Sequence, residues 1–345
     1  MNRIRLAVVG LNFGSWMIEN ELLSDFGKAY VEIAAVCDIQ QQKAAEWGSK
    51  LSVPHYSSLD DLLAATDADF EAVALFSGPI GRAELIERVL DAGKHVMTTK
   101  PFEIDSEKAR RVLEKARSLG LTVQLNSPSP ELQGDLAQVQ LWKERYDLGR
   151  PIAFRAETTC SYREQPNGSW YDDPAQCPAA PIFRLGIYLI NDLVRFFGDI
   201  EEASVQQSRI FTGRPTADNA QLNLLFKNGA LGNVFASFCI DDQQYYKCAF
   251  TLNFERGTVY RNIGPRLNDG GEKLNRLEVV AVQDGRQVTD AYEAESAEGY
   301  QWDVFYRTVR GERTDPLSYD ADIVAGIRII EQMKRQAGDA GVIRG

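Results

Sequence analysis

The first residues with chemical potential stand in the run Gly10-Leu11-Asn12-Phe13-Gly14-Ser15, where an apolar stretch gives way to a helical pattern. In a turn of the G-x-G-x-x-G kind, the first glycine permits a tight bend and the second lets backbone amides reach a diphosphate. The third brings helix close to strand. Here Asn12 and Ser15 occupy the second and third positions. Asparagine tolerates left-handed backbone angles and serine is small, so the bend survives with less room for a phosphate. The next apolar run ends in Cys37-Asp38. A carboxylate at that point can accept both ribose hydroxyls of NAD and repels a 2′-phosphate. Residue 39 is Ile, and no arginine adjoins Asp38 to receive a phosphate. Together these residues predict a dinucleotide site for NAD in preference to NADP.

Acid–base candidates are few. The chain has two histidines, His55 and His95, and five cysteines, Cys37, Cys160, Cys177, Cys239 and Cys248. An odd number of cysteines without C-x-x-C spacing argues against a disulfide framework and a zinc site, so reduced thiols and no metal are expected.

The elements that must position these residues change character near residue 125. Before it, β-rich runs at 4–9, 31–37, 72–76, 95–98 and 121–125 alternate with amphipathic stretches. Residues 81–92 carry apolar positions at three and four spacing and stop at Gly93, and 106–119 follow a capping Asp105. Such alternation predicts a parallel sheet with helices on both faces. After residue 150, runs at 151–159, 203–212, 219–226, 230–239, 246–254 and 276–283 predict a second, largely antiparallel mixed sheet, with Asn228-Gly229 and Asp284-Gly285 as hairpin turns. Helical patterns at 131–147, 184–197, 296–310 and 318–336 flank it, and 163–181 forms a long connection. The expected fold is α/β, with a Rossmann dinucleotide-binding domain over 1–125 and a second α/β domain with an open, largely antiparallel mixed sheet over 126–345, whose last helix packs back towards the first.

A length of 345 residues with 44% hydrophobic and 25% charged content is enough for two cored domains. No apolar run approaches the ~20 residues of a bilayer span, and the apolar start ends at once in a glycine turn, unlike a signal peptide. A cytoplasmic protein is expected. The net charge of −11 opposes binding to nucleic acid or an anionic membrane.

Collinear segments then carry a resemblance over nearly the whole chain. AVALFSGP at 72–79, DAGKHVMTTKP at 91–101, YDLGRPIAFRAET at 146–158, WYDDP at 170–174, LGIYLINDLVRFFGD at 185–199 and SYDAD at 318–322 resemble the glucose-fructose oxidoreductase and inositol dehydrogenase family, Gfo/Idh/MocA. The resemblance implies an oxidoreductase with a Rossmann domain, a second α/β domain whose open sheet mediates homodimers or homotetramers, and substrates among sugars, polyols and their derivatives. It places Lys100, in Thr99-Lys100-Pro101, beside nicotinamide and substrate. It makes Ser77, Gly78, Pro79, Thr99 and Asn126 cofactor contacts beside Gly10, Asn12, Phe13, Gly14 and Asp38. The family's Glu-Lys-Pro element has lost its acid to Thr99. The family's Asp and His on the second-domain helix correspond to Arg184 and Tyr188, and Pro178-Ala179-Ala180 stand where glycines are common.

Neither histidine aligns with that site, so the proton role falls to Tyr188 or to no residue. A phenol with an ordinary pKa of ~10 is a poor base at neutral pH unless cations favour the phenolate. Arg184 and Tyr188, four apart on a helix, share a face, and Lys100 is expected to approach from the first domain. Lys100 would polarise the substrate oxygen, and Arg184 would tune Tyr188 or anchor an anionic sugar group. Tyr162, Arg163 and Trp170 are further substrate contacts implied by the resemblance. Three readings stay open: a sugar or polyol dehydrogenase, a redox-neutral NAD-dependent glycoside-cleaving enzyme, and a catalytically silent NAD-binding sensor.

Overall fold

A computed structural model describes residues 2–242, 246–264, 274–295, 299–312, 316–340 and 343–344. The chain forms two compact units, Met1–Pro130 with Tyr300–Ala321, and Glu131–Gly299 with Asp322–Gly345. The first unit therefore extends past the break read at 125 and takes in a segment from late in the chain.

In the first unit, β1 (Ile4–Val9) leads into α1 (Leu11–Met17), followed by a π-helical turn, Ile18–Leu22, and α2 (Asp25–Tyr30). Then come β2 (Val31–Cys37), α3 (Gln41–Leu51), β3 (His55–Tyr56), α4 (Leu59–Ala64), β4 (Ala72–Leu75), α5 (Arg82–Asp91), β5 (His95–Thr98), α6 (Ser106–Ser118) and β6 (Val123–Leu125). The strands form one six-stranded parallel sheet in the order β3-β2-β1-β4-β5-β6. The central strand β4, AVAL, is buried at every position, as a parallel strand covered on both faces must be. The expected cap of α6 is present: Asp105 accepts from the amides of Glu107 and Lys108 at 3.0 and 2.9 Å. The two-residue β3 carries too little apolar pattern for the sequence to announce it.

The second unit contains α7 (Gly134–Arg145), β7 (Pro151–Thr159), α8 (Ile187–Phe197), β8 (Ile200–Arg209), β9 (Asn219–Phe226), β10 (Leu231–Ser237), β11 (Lys247–Phe254), β12 (Gly257–Arg261), β13 (Leu274–Gln283) and β14 (Arg286–Glu295). Later elements are α9 (Trp302–Val309), in the first unit, α10 (Pro316–Ala340) and β15 (Ile343–Arg344). The second sheet is nine-stranded, in the order β14-β13-β12-β11-β7-β10-β9-β8-β15, mixed and largely antiparallel. Both foreseen hairpins form. Gly229 at φ 86°, and Asp284 and Gly285 at φ 51° and 71°, supply the left-handed angles that tight hairpin turns require. Strands β12 and β14 escaped the sequence reading. β12 is short, and β14, RQVTDAYEAE, lies at the sheet edge largely exposed, so neither shows a long apolar period. Residues 296–298 of the helix expected over 296–310 lie outside the described residues, and the helix seen starts at Trp302.

Alternate residues divide the faces of this sheet. Phe154, Ala156, Leu222, Leu224, Val234, Ala236 and Leu252 are buried on one face, where α8 lies against β7. On the other, Leu225 pairs with Leu231, Asn223 with Asn233, and Asn233 with Arg155. A buried ion pair ties α7 to the sheet: Arg261 Nη1 lies 2.7 Å from Asp135 Oδ2, with both side chains at most 1% exposed. Asn275 donates to the same oxygen at 2.7 Å.

Candidate active site

In the first unit, the parallel order 3-2-1-4-5-6 reverses direction between β1 and β4, and the region beyond their carboxyl ends is the switch point at which open α/β sheets take ligands. Gly10 sits there at φ +89°, and a Cβ on it would lie 2.8 Å from the carbonyl oxygen of Phe76. No side chain fits, so the turn packs directly against the backbone that follows β4. Gly14 brings α1 against β1, its own hypothetical Cβ lying 3.2 Å from Val8. Phe13, 40% exposed, packs edge-on to Phe76 at 5.5 Å between ring centres. Asp38, buried at the end of β2, accepts from the Leu11 amide at 2.7 Å and the Gln40 amide at 2.9 Å. Its carboxylate is therefore locked beside the turn, and each oxygen keeps a lone pair for a hydroxyl donor. Asn12 accepts a hydrogen bond from the Lys43 ammonium of α3 through Oδ1.

The segments after β4 and β5 are held by a residue the sequence reading passed over. Arg82, 1% exposed at the start of α5, donates to the carbonyl oxygens of Ser77, Thr99 and Pro101. One planar guanidinium thus fixes the expected cofactor segment around Ser77, Gly78 and Pro79 relative to the Thr99-Lys100-Pro101 segment. Asn126, 5% exposed beyond β6, completes the arrangement: its Oδ1 accepts from the Lys100 amide at 3.1 Å and from the Thr99 hydroxyl at 3.3 Å. Tyr300 is also buried there; burial raises its hydroxyl pKa, against smaller downward pulls from Thr99 and Arg82. The Lys100–Pro101 peptide is cis.

In the second unit, a π-helical turn, Ile182–Gly186, precedes α8, so Arg184 lies on the π turn and Tyr188 on the α-helix proper. Arg184 meets Glu164 bidentately, Nη1 to Oε2 at 2.6 Å and Nη2 to Oε1 at 2.8 Å. Its guanidinium lies 4.1 Å from the centre of the Tyr171 ring, 4.8 Å from Phe238 and 5.2 Å from Tyr162. Arg214, 6% exposed at its side chain, extends the array with Nε 2.9 Å from Glu164 and Nη1 on Asp172. Burial pushes the Glu164 carboxyl up, but the two arginines outweigh it and hold the group below the ordinary range. Arg184 is correspondingly raised despite burial, through Glu164.

The structure thus gathers Arg184, Tyr162 and, through Tyr171, Trp170, whose ring lies 4.1 Å from that of Tyr171. Arg163 turns elsewhere: it is exposed, lies over Phe211 at 5.5 Å, and reaches Asp241 at 3.9 Å. Tyr188 is half-buried on α8. His95 accepts from the Thr122 amide at 3.0 Å, and burial lowers its pKa. The thiols of Cys37 and Cys160 are each pushed up to about 12, chiefly by burial, which disfavours the thiolate at neutral pH. Glu164, Arg214, Arg82 and Lys43 escaped the sequence reading. Their partners lie far along the chain, and only Arg82 left a trace, as a charged residue at an otherwise apolar-facing position of its helix.

Comparison with known proteins agrees with this architecture. Residues 4–127 match the family described as oxidoreductase family, NAD-binding Rossmann fold, and residues 137–260 match the GFO/IDH/MocA C-terminal domain. The chain belongs to the Gfo/Idh/MocA oxidoreductase family. An uncharacterized oxidoreductase of Schizosaccharomyces pombe is 27% identical over 201 residues, 57% of this chain and 53% of that protein. The chain spans about half the length of the first curated relatives it matches. Two solved structures share the fold across almost the whole length. A dehydrogenase from Bordetella pertussis in complex with NADH and UDP-GlcNAcA superposes with a TM-score of 0.70 at 16% identity, covering 99% of this chain and 98% of that one. A 3-ketoreductase from Actinomadura kijaniata with NADP and TDP-benzene gives 0.70 at 18% identity, covering 100% of both chains. Among the described residues, no helix is long and apolar enough to cross a membrane.

Proposed function

We propose that the protein transfers a hydride between a nicotinamide dinucleotide, NAD in preference to NADP, and a hydroxyl of a sugar, polyol or anionic sugar derivative. The observation that carries this is the arrangement at the carboxyl ends of β1, β2, β4 and β5. There a backbone cradle at Gly10 and a fixed carboxylate at Asp38 lie in the same unit as the Lys100 segment clamped by Arg82 and Asn126. Gly10 has no room for a Cβ, which holds the tight bend that a dinucleotide turn requires, and Asp38 suits a ribose diol. When bound, the nicotinamide supplies the hydride chemistry. Support for a carbohydrate-like substrate comes from one protein of the same fold, bound with NADH and the sugar nucleotide UDP-GlcNAcA; another, a 3-ketoreductase, was bound with NADP and the nucleotide TDP-benzene.

Lys100 is assigned the reacting oxygen: its ammonium donates a hydrogen bond there and stabilises the negative charge that develops as the O–H bond breaks. Tyr188 is assigned the proton, receiving it in oxidation and returning it in reduction. Arg184 already has its charge matched by Glu164, so a substrate anion would have to displace that carboxylate, and the same pairing weakens the pull of Arg184 on a Tyr188 phenolate. Tyr162 and Trp170 are assigned to the sugar, with Arg163 at the margin.

The test is stoichiometric formation of NADH from NAD with a panel of sugars, polyols and sugar nucleotides. The wild type is expected to accumulate NADH with at least one of them. Lys100→Ala and Tyr188→Phe are each expected to lower kcat by about 10²–10⁴-fold. Aglycone release without NADH would replace this function by redox-neutral glycoside cleavage, and dinucleotide binding without turnover by a sensor.

The solvent face of the second sheet supports a further assignment, a homo-oligomer interface. Leu225 and Leu231, 36% and 58% exposed, are cross-strand neighbours on that face. Light scattering on the eluting protein is expected to give a dimer or tetramer, and Leu231→Glu to shift it towards monomer.

A further inference from the structure

Two arginines and two acids of the second unit balance one another, and they are not equally deep. The side chains of Arg184 and Arg214 are 11% and 6% exposed, those of Asp172 and Glu164 15% and 27%. The cations are the more buried, so the surface this cluster offers to a ligand is chiefly the Glu164 carboxylate. Arg184 is also held where it lies. Its guanidinium packs against the rings of Tyr171, Phe238 and Tyr162 at 4.1, 4.8 and 5.2 Å, and both of its bonds to Glu164 run side by side. Glu164 is fixed in turn by Arg214 and by its own carbonyl oxygen, which accepts from the Gly213 amide at 3.2 Å. Among the described residues, Oε2 of Glu164 accepts two hydrogen bonds, from Arg184 Nη1 and Arg214 Nε, whereas Oε1 accepts one, from Arg184 Nη2. A carboxylate oxygen has two lone pairs, so Oε1 keeps one for a further donor.

We infer that Glu164 is a specificity-determining residue, which accepts a hydrogen bond from a sugar or polyol hydroxyl at Oε1 and rejects substrates that carry a carboxylate or phosphate at that point. The inference rests on the proposed carbohydrate function and selects the neutral members of its substrate range. A hydroxyl gains a charge-assisted hydrogen bond without disturbing either arginine. An acid group brings like charge to the same oxygen, and it reaches a guanidinium only by displacing Glu164 from a bidentate pair. Attraction for one class and repulsion of the other thus come from one side chain.

The test is binding and turnover by the intact protein of matched neutral and acidic sugars, glucose with glucuronate and galactose with galacturonate, beside the panel used for function. The wild type is expected to favour the neutral member of each pair at least tenfold. Glu164→Ala opens the place of the carboxylate between the two arginines, so it is expected to lose about tenfold for neutral sugars and to gain for uronates, inverting the preference. Combining Glu164→Gln with Arg184→Gln removes one charge of each sign and is expected to abolish the gain for uronates. Thermal melting without ligand shows that each variant is folded, and Glu164→Gln, which keeps an acceptor and loses the charge, carries the test if alanine disturbs the connection. Equal weakening of both members of a pair marks Glu164 as merely structural and overturns the inference, as does a wild type that prefers uronates; both leave the carbohydrate function standing. A folded wild type that binds no member of the panel overturns the carbohydrate function and the inference with it.

Discussion

Gly10 and Arg82 illustrate two ways in which one residue shapes a crevice. Gly10 acts by lacking a side chain. Its left-handed angle and the 2.8 Å separation between a hypothetical Cβ and the Phe76 carbonyl oxygen leave alanine both strained and crowded. Gly10→Ala is expected to lower the stability to urea by about 1–3 kcal/mol and to weaken dinucleotide binding as the crevice wall shifts. Arg82 acts through a buried guanidinium shared by three carbonyl groups. Lysine has the charge without the planar fork, so Arg82→Lys is expected to leave part of this hydrogen bonding unmade. A loss of about 1–3 kcal/mol in chemical unfolding, with a weaker affinity for dinucleotide, is the expected reading.

Ion pairs that span elements carry a pH signature. Glu164 joins the connection after β7 to the π turn before α8 through Arg184, and to the segment after β8 through Arg214. Its folded-state pKa lies below the ordinary 4.5. The group therefore stabilises the fold above 4.5, and that contribution is lost as pH falls below 4.5 through the depressed folded value. Melting curves between pH 3 and 7, compared with Glu164→Gln, are expected to show the wild type losing Tm more steeply on the acid side, with the two curves converging at the lowest pH. Asp135 with Arg261 is the more deeply buried pair. Asp135→Ala leaves a guanidinium buried without that carboxylate and is expected to cost about 3–5 kcal/mol in equilibrium unfolding, more than any exposed ion pair. The exposed Arg88–Asp60 pair, by contrast, is expected to contribute about 0–1 kcal/mol.

Across the protein, dinucleotide binding and folding are linked. A ligand that binds only the folded chain at 100 times its Kd adds about 2.7 kcal/mol of stability, so NADH is expected to raise the melting temperature. The same experiment with Lys100→Ala is expected to keep that rise while turnover falls, because Lys100 is assigned the reacting oxygen. An unchanged melting temperature for the wild type at saturating NADH and NADPH would count against a dinucleotide site.

What could be read from sequence was local or periodic. Strand-helix alternation over the first unit, the turn at Gly10, the cap at Asp105 and the two hairpins each depend on neighbouring residues, so their physics is written in short spans. The family likewise followed from contiguous motifs, and it predicted the architecture found. Strands β3, β12 and β14 were invisible because short or exposed strands carry little apolar period. The partners of charged side chains were equally hidden. Arg184 is four residues before Tyr188 in sequence, yet its guanidinium belongs to Glu164, twenty residues upstream, and that carboxylate in turn to Arg214, fifty residues downstream. Sequence determined which chemistry was available and on which elements it stood. Tertiary structure alone decided which charges neutralise one another, because an ion pair is set by distance in space, and folding brings together residues whose separation along the chain leaves no periodic trace.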